Sequence, residues 1–240
     1  MCSFIASSLA LMVRLAFINF HLRFRGPDYT GTKQIGGFDF VHNLLHMTGA
    51  FTPQPFVSAD NGTLALFNGE IYNFRTLQQE LRPSGRPYRS DGECVLEAYH
   101  TWGEEFASHF DGEFAIAVFD LHRRQILVST DVFGIKPLFV AMSDEAFGVS
   151  SYRSGLERAG HPAASISQLD ANRVYIYSFE ASTGPDSQAR PHSFRLLRSR
   201  EGVSWDLRQH KVTTDAWEGA FEEAVRKRTP VRRWCDVARG

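Results

Sequence analysis

No stretch of this 240-residue chain reaches the about 18 uncharged apolar residues that a membrane-spanning helix needs, so no membrane partner is expected. The longest apolar run, residues 4–13, lacks a basic segment before it and is stopped by Arg14, which does not fit a secretory leader. Excess charge of either sign is missing as well. Lys and Arg number 26 against 27 Asp and Glu, a net charge of -1, which argues against general binding to nucleic acid or anionic lipid. The basic residues from Arg226 to Arg239 sit at a helix end, where cations suit the helix dipole. Cysteine is scarce. The 3 present, Cys2, Cys94 and Cys235, are odd in number and scattered, which suits neither a disulfide framework nor a zinc site and points to a reducing, cytoplasmic setting. Solenoid repeats and a Gly-rich phosphate loop are also lacking, so this polypeptide by itself is not expected to adenylate a substrate.

What is present is a globular composition, 43% hydrophobic, enough for a large buried core. Residues 3–6 read as a short buried strand and 9–22 as a helix with Leu11, Leu15, Ile18 and Leu22 near one face. Arg25-Gly26-Pro27-Asp28 must turn. Phe56-Val57 and residues 63–67 form a hairpin across Asp60-Asn61-Gly62, since Asn-Gly tolerates positive φ. A helix follows with Phe74, Leu77 and Leu81 on one side. Ser90-Asp91-Gly92-Glu93 then reads as a capping box, with Glu93 reaching back to the Ser90 N–H, and the helix it opens turns Val95, Leu96, Tyr99 and Trp102 inward. Residues 114–119 and 125–130 are near-continuous apolar strands, residues 131–138 a loop, and 139–142 with 147–151 another strand pair. Beyond residue 152 one strand, 173–179, stands out in a Ser-, Arg- and Gly-rich stretch. Trp217, Phe221 and Val225 then mark an amphipathic helix over 216–228. Strand blocks separated by helices predict a layered α+β fold with sheets inside and helices outside.

Cys2 carries the first chemical signal. Removal of Met1 would put a thiol and a free α-amino group on one residue, a nucleophile with its own base. The amine's reference pKa of about 7.7–8.0 leaves a useful fraction unprotonated near neutral pH. Alone, a Cys at position 2 is more often an inert small residue.

Taken together, Cys2, Arg25-Gly26-Pro27-Asp28, Asn68-Gly69-Glu70-Ile71-Tyr72-Asn73, Ser90-Asp91-Gly92-Glu93, Gly112-Glu113-Phe114-Ala115 and Asp131-x-x-Gly134-x-x-Pro137-Leu138 follow an order that resembles the class II glutamine amidotransferase domain of asparagine synthetases. The resemblance covers roughly residues 2–156. It implies an N-terminal-nucleophile hydrolase: a four-layer αββα sandwich, completed by a peripheral hairpin and linker over 157–212. Residues 213–240 would be the opening helix of a synthetase domain that this chain does not include. The implied reaction is hydrolysis of glutamine's side-chain amide, with Cys2 as nucleophile and Asn68 and Gly69 as the oxyanion hole. Glu70 and Asp91 are implied as substrate-binding residues. The residues themselves leave alternatives open, since Asn68-Gly69 also suits a plain turn, Asp91 suits a helix start, and Glu70 suits an exposed turn.

Two departures from the pattern stand out. An Arg that the family places before Gln54-Pro55 to pair with the glutamine α-carboxylate is missing, since no Arg lies between Arg25 and Arg75. Asn43 is the best-matching position, with Lys33 or Arg25 as substitutes. Ser151 is followed by Tyr152, where an acid is common. No cofactor is expected for the glutaminase half, whereas ATP and magnesium belong to the absent synthetase half. Expected partners are glutamine and a synthetase domain or subunit, with a homodimer allowed. The rival reading is a catalytically silent domain that regulates or binds a partner; a third is another amidotransferase, such as the purine or hexosamine enzymes.

Overall fold

A computed structural model describes residues 2–47, 49–181, 190–204 and 211–229. Met1, whose removal the sequence reading requires, and residues 230–240 with Cys235 lie outside the described residues. The chain divides into one unit ending at Val203 and a second beginning at Ser204.

Strand β1 (Ser3–Ser7) follows Cys2 directly and is buried along its whole length. Next come α1 (Leu15–Asn19), β2 (Tyr29–Ile35), β3 (Phe38–Leu44), β4 (Phe56–Val57), β5 (Thr63–Ile71), α2 (Phe74–Leu81) and α3 (Cys94–Trp102). The unit continues with β6 (Gly112–Asp120), β7 (Gln125–Thr130), β8 (Phe139–Met142), β9 (Phe147–Ser150), α4 (Arg153–Ala159), β10 (Ile166–Gln168), β11 (Arg173–Glu180) and β12 (His192–Glu201).

These strands form two 6-stranded sheets, ordered β10-β8-β9-β1-β3-β2 and β12-β11-β7-β6-β5-β4. Strand alternation decides what each face meets. Phe4, Phe38, Phe40 and Phe147 of the first sheet pack against Leu64, Leu66, Phe119 and Val128 of the second. The intervening residues point outward. Ile5 and Val41 meet Leu11, Ile18, Leu22 and Leu156, whereas Phe67, Ile116 and Val118 meet Leu77, Val95 and Tyr99. The result is the αββα order, helices outside and sheets inside.

Most local readings hold. Asn61 takes φ 57 at the β4–β5 turn, α2 buries Leu77, and β6 pairs with β7. Two readings need correction. The helix expected over 9–22 is broken into a 3₁₀ turn at Met12–Arg14, α1, and a second 3₁₀ turn at Leu22–Phe24. Arg14 leaves helical geometry at φ -125, and the buried Asp39 carboxylate takes the Leu11 and Met12 N–H groups at 2.7 and 3.2 Å, tying the segment's start to β3. The apolar face survives, since Leu11, Ile18 and Leu22 are buried. The capping box does not form: Glu93 accepts from Arg89 N at 2.7 Å, and the Ser90 side chain makes no cap bond. Within the 157–212 hairpin and linker, β11 and β12 pair at one edge of the second sheet, and Tyr177, Phe179 and Phe194 enter the core between the sheets.

In the second unit, α5 (Thr214–Arg228) starts on Thr213, whose hydroxyl accepts from Ala216 N at 3.3 Å. Its Trp217 and Phe221 rings stack 5.6 Å apart and are exposed. Among the described residues no helix is long and apolar enough to cross a membrane.

Candidate active site

One cleft brings together Cys2, Asn68, Gly69, Glu70 and Asp91, with Gln54, His46 and Lys136 also on its walls. These residues are far apart in sequence. Sheet pairing unites them: β1 lies against β3, which delivers Leu44 and Leu45 beside Cys2, and the end of β5 supplies Asn68 to Glu70.

Cys2 is half-buried at the mouth of β1. Its Sγ accepts from Leu45 N at 3.4 Å and lies 3.9 Å from Leu45 O. Burial raises the thiol's pKa, with the Leu45 backbone opposing, so near neutral pH the sulfur is protonated and needs a base.

Gly69 is required by its surroundings. Its φ is 155, and a β-carbon there would lie 2.0 Å from Glu113 O on β6. Gly69 pairs with Phe114, whose N–H donates to the Asp131 carboxylate and whose C=O accepts from Asp131 N. Strand alternation therefore turns the Gly69 N–H away from β6, past the end of the two-residue β4. Asn68 is 2% exposed, and its Oδ1 has no hydrogen-bond partner. A buried amide with an idle atom is uncommon in a purely structural role.

Asp91 caps the end of β5 from below, accepting from Ile71 N at 2.8 Å. Burial pushes its carboxyl up to about 6, and burial together with Asp91 pushes Glu70 up to about 7. The cleft thus holds two acids that ionise only at the alkaline side of their usual range. Both pKa values lie above those of the unfolded chain, so ionisation works against folding. The penalty is absent below about pH 4, where both states are protonated, and grows as pH rises through about 6 and 7. Glu70→Gln should therefore raise Tm at pH 8 and leave it unchanged at pH 4, measured by thermal melts at both; an equal rise at both would disprove the coupling.

The loop at Asp131 is folded around that residue's buried carboxylate, which accepts from Phe133, Ile135 and Lys136 N–H groups at 3.0, 3.1 and 3.3 Å. This fold places Lys136, 6% exposed, against the cleft with its Nζ 3.1 Å from Glu113. Lys136 is the only Lys or Arg lining the cleft among the described residues. The sequence reading did not single it out, although it stands inside the Asp131 to Pro137 motif.

Asn43 does not join the cleft. It is fully buried, its Nδ2 donating to Ser3 Oγ and Asn19 Oδ1 at 3.1 and 2.8 Å. Its Oδ1 accepts from Asn19 Nδ2 and Thr30 Oγ1 at 2.9 and 2.8 Å. With that amide committed on the helix-facing side of β3, the assignment of Asn43 to substrate is corrected to a structural one. Neither substitute lines the cleft either: Lys33 is exposed on β2, and Arg25 donates to the Tyr152 hydroxyl at 2.6 Å. That bond gives Tyr152 a use where an acid was expected. The Arg25–Asp28 turn supports the site from behind, since a β-carbon on Gly26 would lie 2.1 Å from Asn43 O and Asp28 accepts from His46 N at 2.7 Å. Among the described residues no group of three or more His, Cys, Asp or Glu is placed to hold a metal ion.

Comparison with known proteins gives this cleft its context. A family model described as a glutamine amidotransferase domain matches residues 1–215. A Mycobacterium tuberculosis protein provisionally named as a glutamine-hydrolyzing asparagine synthetase is 37% identical over 148 residues, 56% of this chain and 23% of that protein. The asparagine synthetase [glutamine-hydrolyzing] of Gallus gallus is 33% identical over 155 residues, 61% of this chain and 27% of that one. The chain thus spans about a quarter of the length of these curated relatives. Among solved structures, the glutamine phosphoribosylpyrophosphate amidotransferase of B. subtilis superposes with a TM-score of 0.60 at 18% identity, over 82% of this chain and 49% of that one, a likeness of fold alone. With the family model covering nearly the whole chain and a Cys2 cleft between paired sheets, this polypeptide belongs to the glutamine amidotransferase domain family.

Proposed function

We propose that the chain hydrolyses the side-chain amide of glutamine and supplies the ammonia to an ATP-dependent synthetase domain or subunit of the asparagine synthetase type. The carrying observation is that Cys2, Asn68 and Gly69 line one cleft. After removal of Met1, the α-amino group of Cys2 takes the thiol proton, and the thiolate attacks the amide carbonyl. Negative charge moves to the carbonyl oxygen, where the Asn68 amide and the Gly69 N–H hold it. The C–N bond breaks, the amine returns its proton to the leaving nitrogen, and ammonia departs. Water then cleaves the thioester to glutamate and regenerates the thiol. Glu70 and Asp91 hold the substrate's α-ammonium, which favours their ionised forms. ATP and magnesium act only in the synthetase part, and the reaction belongs in the cytoplasm.

Asn68→Ala tests the oxyanion assignment. Loss of one donor typically lowers kcat about 10²–10³-fold. Because Oδ1 has no partner to lose, Tm should change little. Steady-state glutamate release with a thermal melt checks both; unchanged kcat would refute the role. The silent-domain reading draws on the lack of an Arg in the cleft among the described residues, and a wild-type chain that releases no glutamate would support it.

A further inference from the structure

The β4 strand ends where the site needs it most. It pairs Phe56 with Ala65 and Val57 with Leu64, and continuing that register would set Gln54 opposite Phe67, the residue before Asn68. The backbone of Gln54 is turned elsewhere, its C=O approaching Gly31 of β2 so closely that a β-carbon there would lie 2.3 Å away. Two side chains occupy the vacant rung instead. Gln54 Oε1 accepts from Phe67 N at 2.8 Å, and His42 Nε2 donates to Phe67 O at 3.2 Å. Both are nearly sealed from solvent, at 6% and 0% exposure.

His42 sits on β3 directly opposite Phe4 of β1, and strand alternation turns it into the space between the sheets, toward β5. Its bond to Phe67 therefore ties the sheet that carries Cys2 to the sheet that carries Asn68 and Gly69. A carbonyl oxygen can only accept, so Nε2 carries the proton. Burial holds the ring neutral, its pKa pushed down to about 4. Nδ1 is left as a buried lone pair without a partner.

We infer that Gln54 and His42 are positioning residues that clamp the Phe67 peptide and so set the distance between the Cys2 sulfur and the oxyanion donors of Asn68 and Gly69. The physical reason is that this end of β5 is held by a strand on one edge only, that of β6, so its other edge needs a partner to stay in place, and misplacement by about 1 Å can cost 10²-fold in rate. This inference rests on the proposed glutamine hydrolysis.

Gln54→Met and His42→Leu, which keep volume but lose the bonding atom, should each lower kcat about 10–100-fold with KM for glutamine within about twofold. His42→Gln, which can return an N–H to Phe67 O, should recover much of the loss. The double variant should fall short of the product of the single effects, because both act on one peptide. Alkylation of Cys2 by iodoacetamide should proceed at the wild-type rate in every variant, because the sulfur itself is not disturbed. Unchanged kcat in both single variants overturns the inference, as does a kcat loss matched by slower alkylation or by no rescue in His42→Gln. A wild-type chain inactive on glutamine refutes the activity itself and the clamp's role with it, and that result is read before any variant is made.

Discussion

Cys2→Ala should lower glutamine hydrolysis by at least about 10⁴-fold, since removing a nucleophile forfeits the covalent route and leaves only binding and oxyanion stabilisation. Alanine is as readily unmasked by loss of Met1 as cysteine, so the α-amine stays in place and the thiol alone is tested. Neither adjacent Ser3 nor the other described cysteine can stand in. Ser3 is fully buried, its hydroxyl donating to Leu22 O at 2.7 Å and accepting from Asn43 at 3.1 Å. Cys94 is buried on α3, where desolvation drives its thiol pKa far upward. Coupled-enzyme detection of glutamate gives the rate, and mass spectrometry of the N-terminus verifies that residue 2 leads the chain. Turnover at the wild-type rate in the variant would end the nucleophile assignment.

Gly69→Ala is the second large effect, and it acts on structure and chemistry together. The added β-carbon would lie 2.0 Å from Glu113 O and 2.7 Å from Phe114 Cα, so β5 and β6 must part at that point. Neither neighbour is the flexible end of a side chain. A φ of 155 adds strain for any residue with a β-carbon. Overpacking and backbone strain combine to about 3 kcal/mol or more. For a domain of this size that is a Tm loss of roughly 6–12 °C. Any fraction that stays folded should lose a further 10²-fold or so in kcat, because the N–H proposed to meet the oxyanion moves with the strand. Differential scanning calorimetry and steady-state kinetics on the same preparation separate the two losses. A variant with wild-type Tm would show that β5 yields here at no cost.

Much of this arrangement is legible in the sequence. Hairpins read from local signals because a turn residue and two apolar runs act within a few positions: Asn61 and the 114–130 pair are where the pattern put them. The α2 boundaries were equally plain, since Phe74, Leu77 and Leu81 share a face and Pro83 lies just beyond. Boundaries failed where a distant group intervened. Asp39 reaches across from β3 to take the backbone N–H groups that begin the 9–22 segment, and nothing near residue 11 announces it. Glu93 likewise found Arg89 in place of Ser90.

The site shows the same division. Motif order singles out Cys2, Asn68, Gly69, Glu70 and Asp91 as candidates, and they line one cleft. Asn43 was chosen by position along the chain, yet the pleat of β3 turns it to the helix-facing side, into a network with Ser3, Asn19 and Thr30. Its neighbour His42, on the opposite face, was passed over. Lys136 was missed because its approach to the cleft depends on the Asp131 carboxylate curling a whole loop around itself.

By itself, then, the sequence determined the layered α+β class, from alternation along single strands, and the family, from motif order, with the αββα layering that the resemblance implies; it also singled out candidates to attack and stabilise a carbonyl. Only the tertiary structure decided which cation faces the cleft, which amide is committed to the core, and which side chains complete the rung that β4 leaves vacant. For Asn43 and His42 the choice depends on the register between β1 and β3, more than thirty residues apart in the chain, where a shift of one residue would send each to the opposite face, whereas Lys136 and Gln54 are placed by loops folded onto Asp131 and onto Phe67.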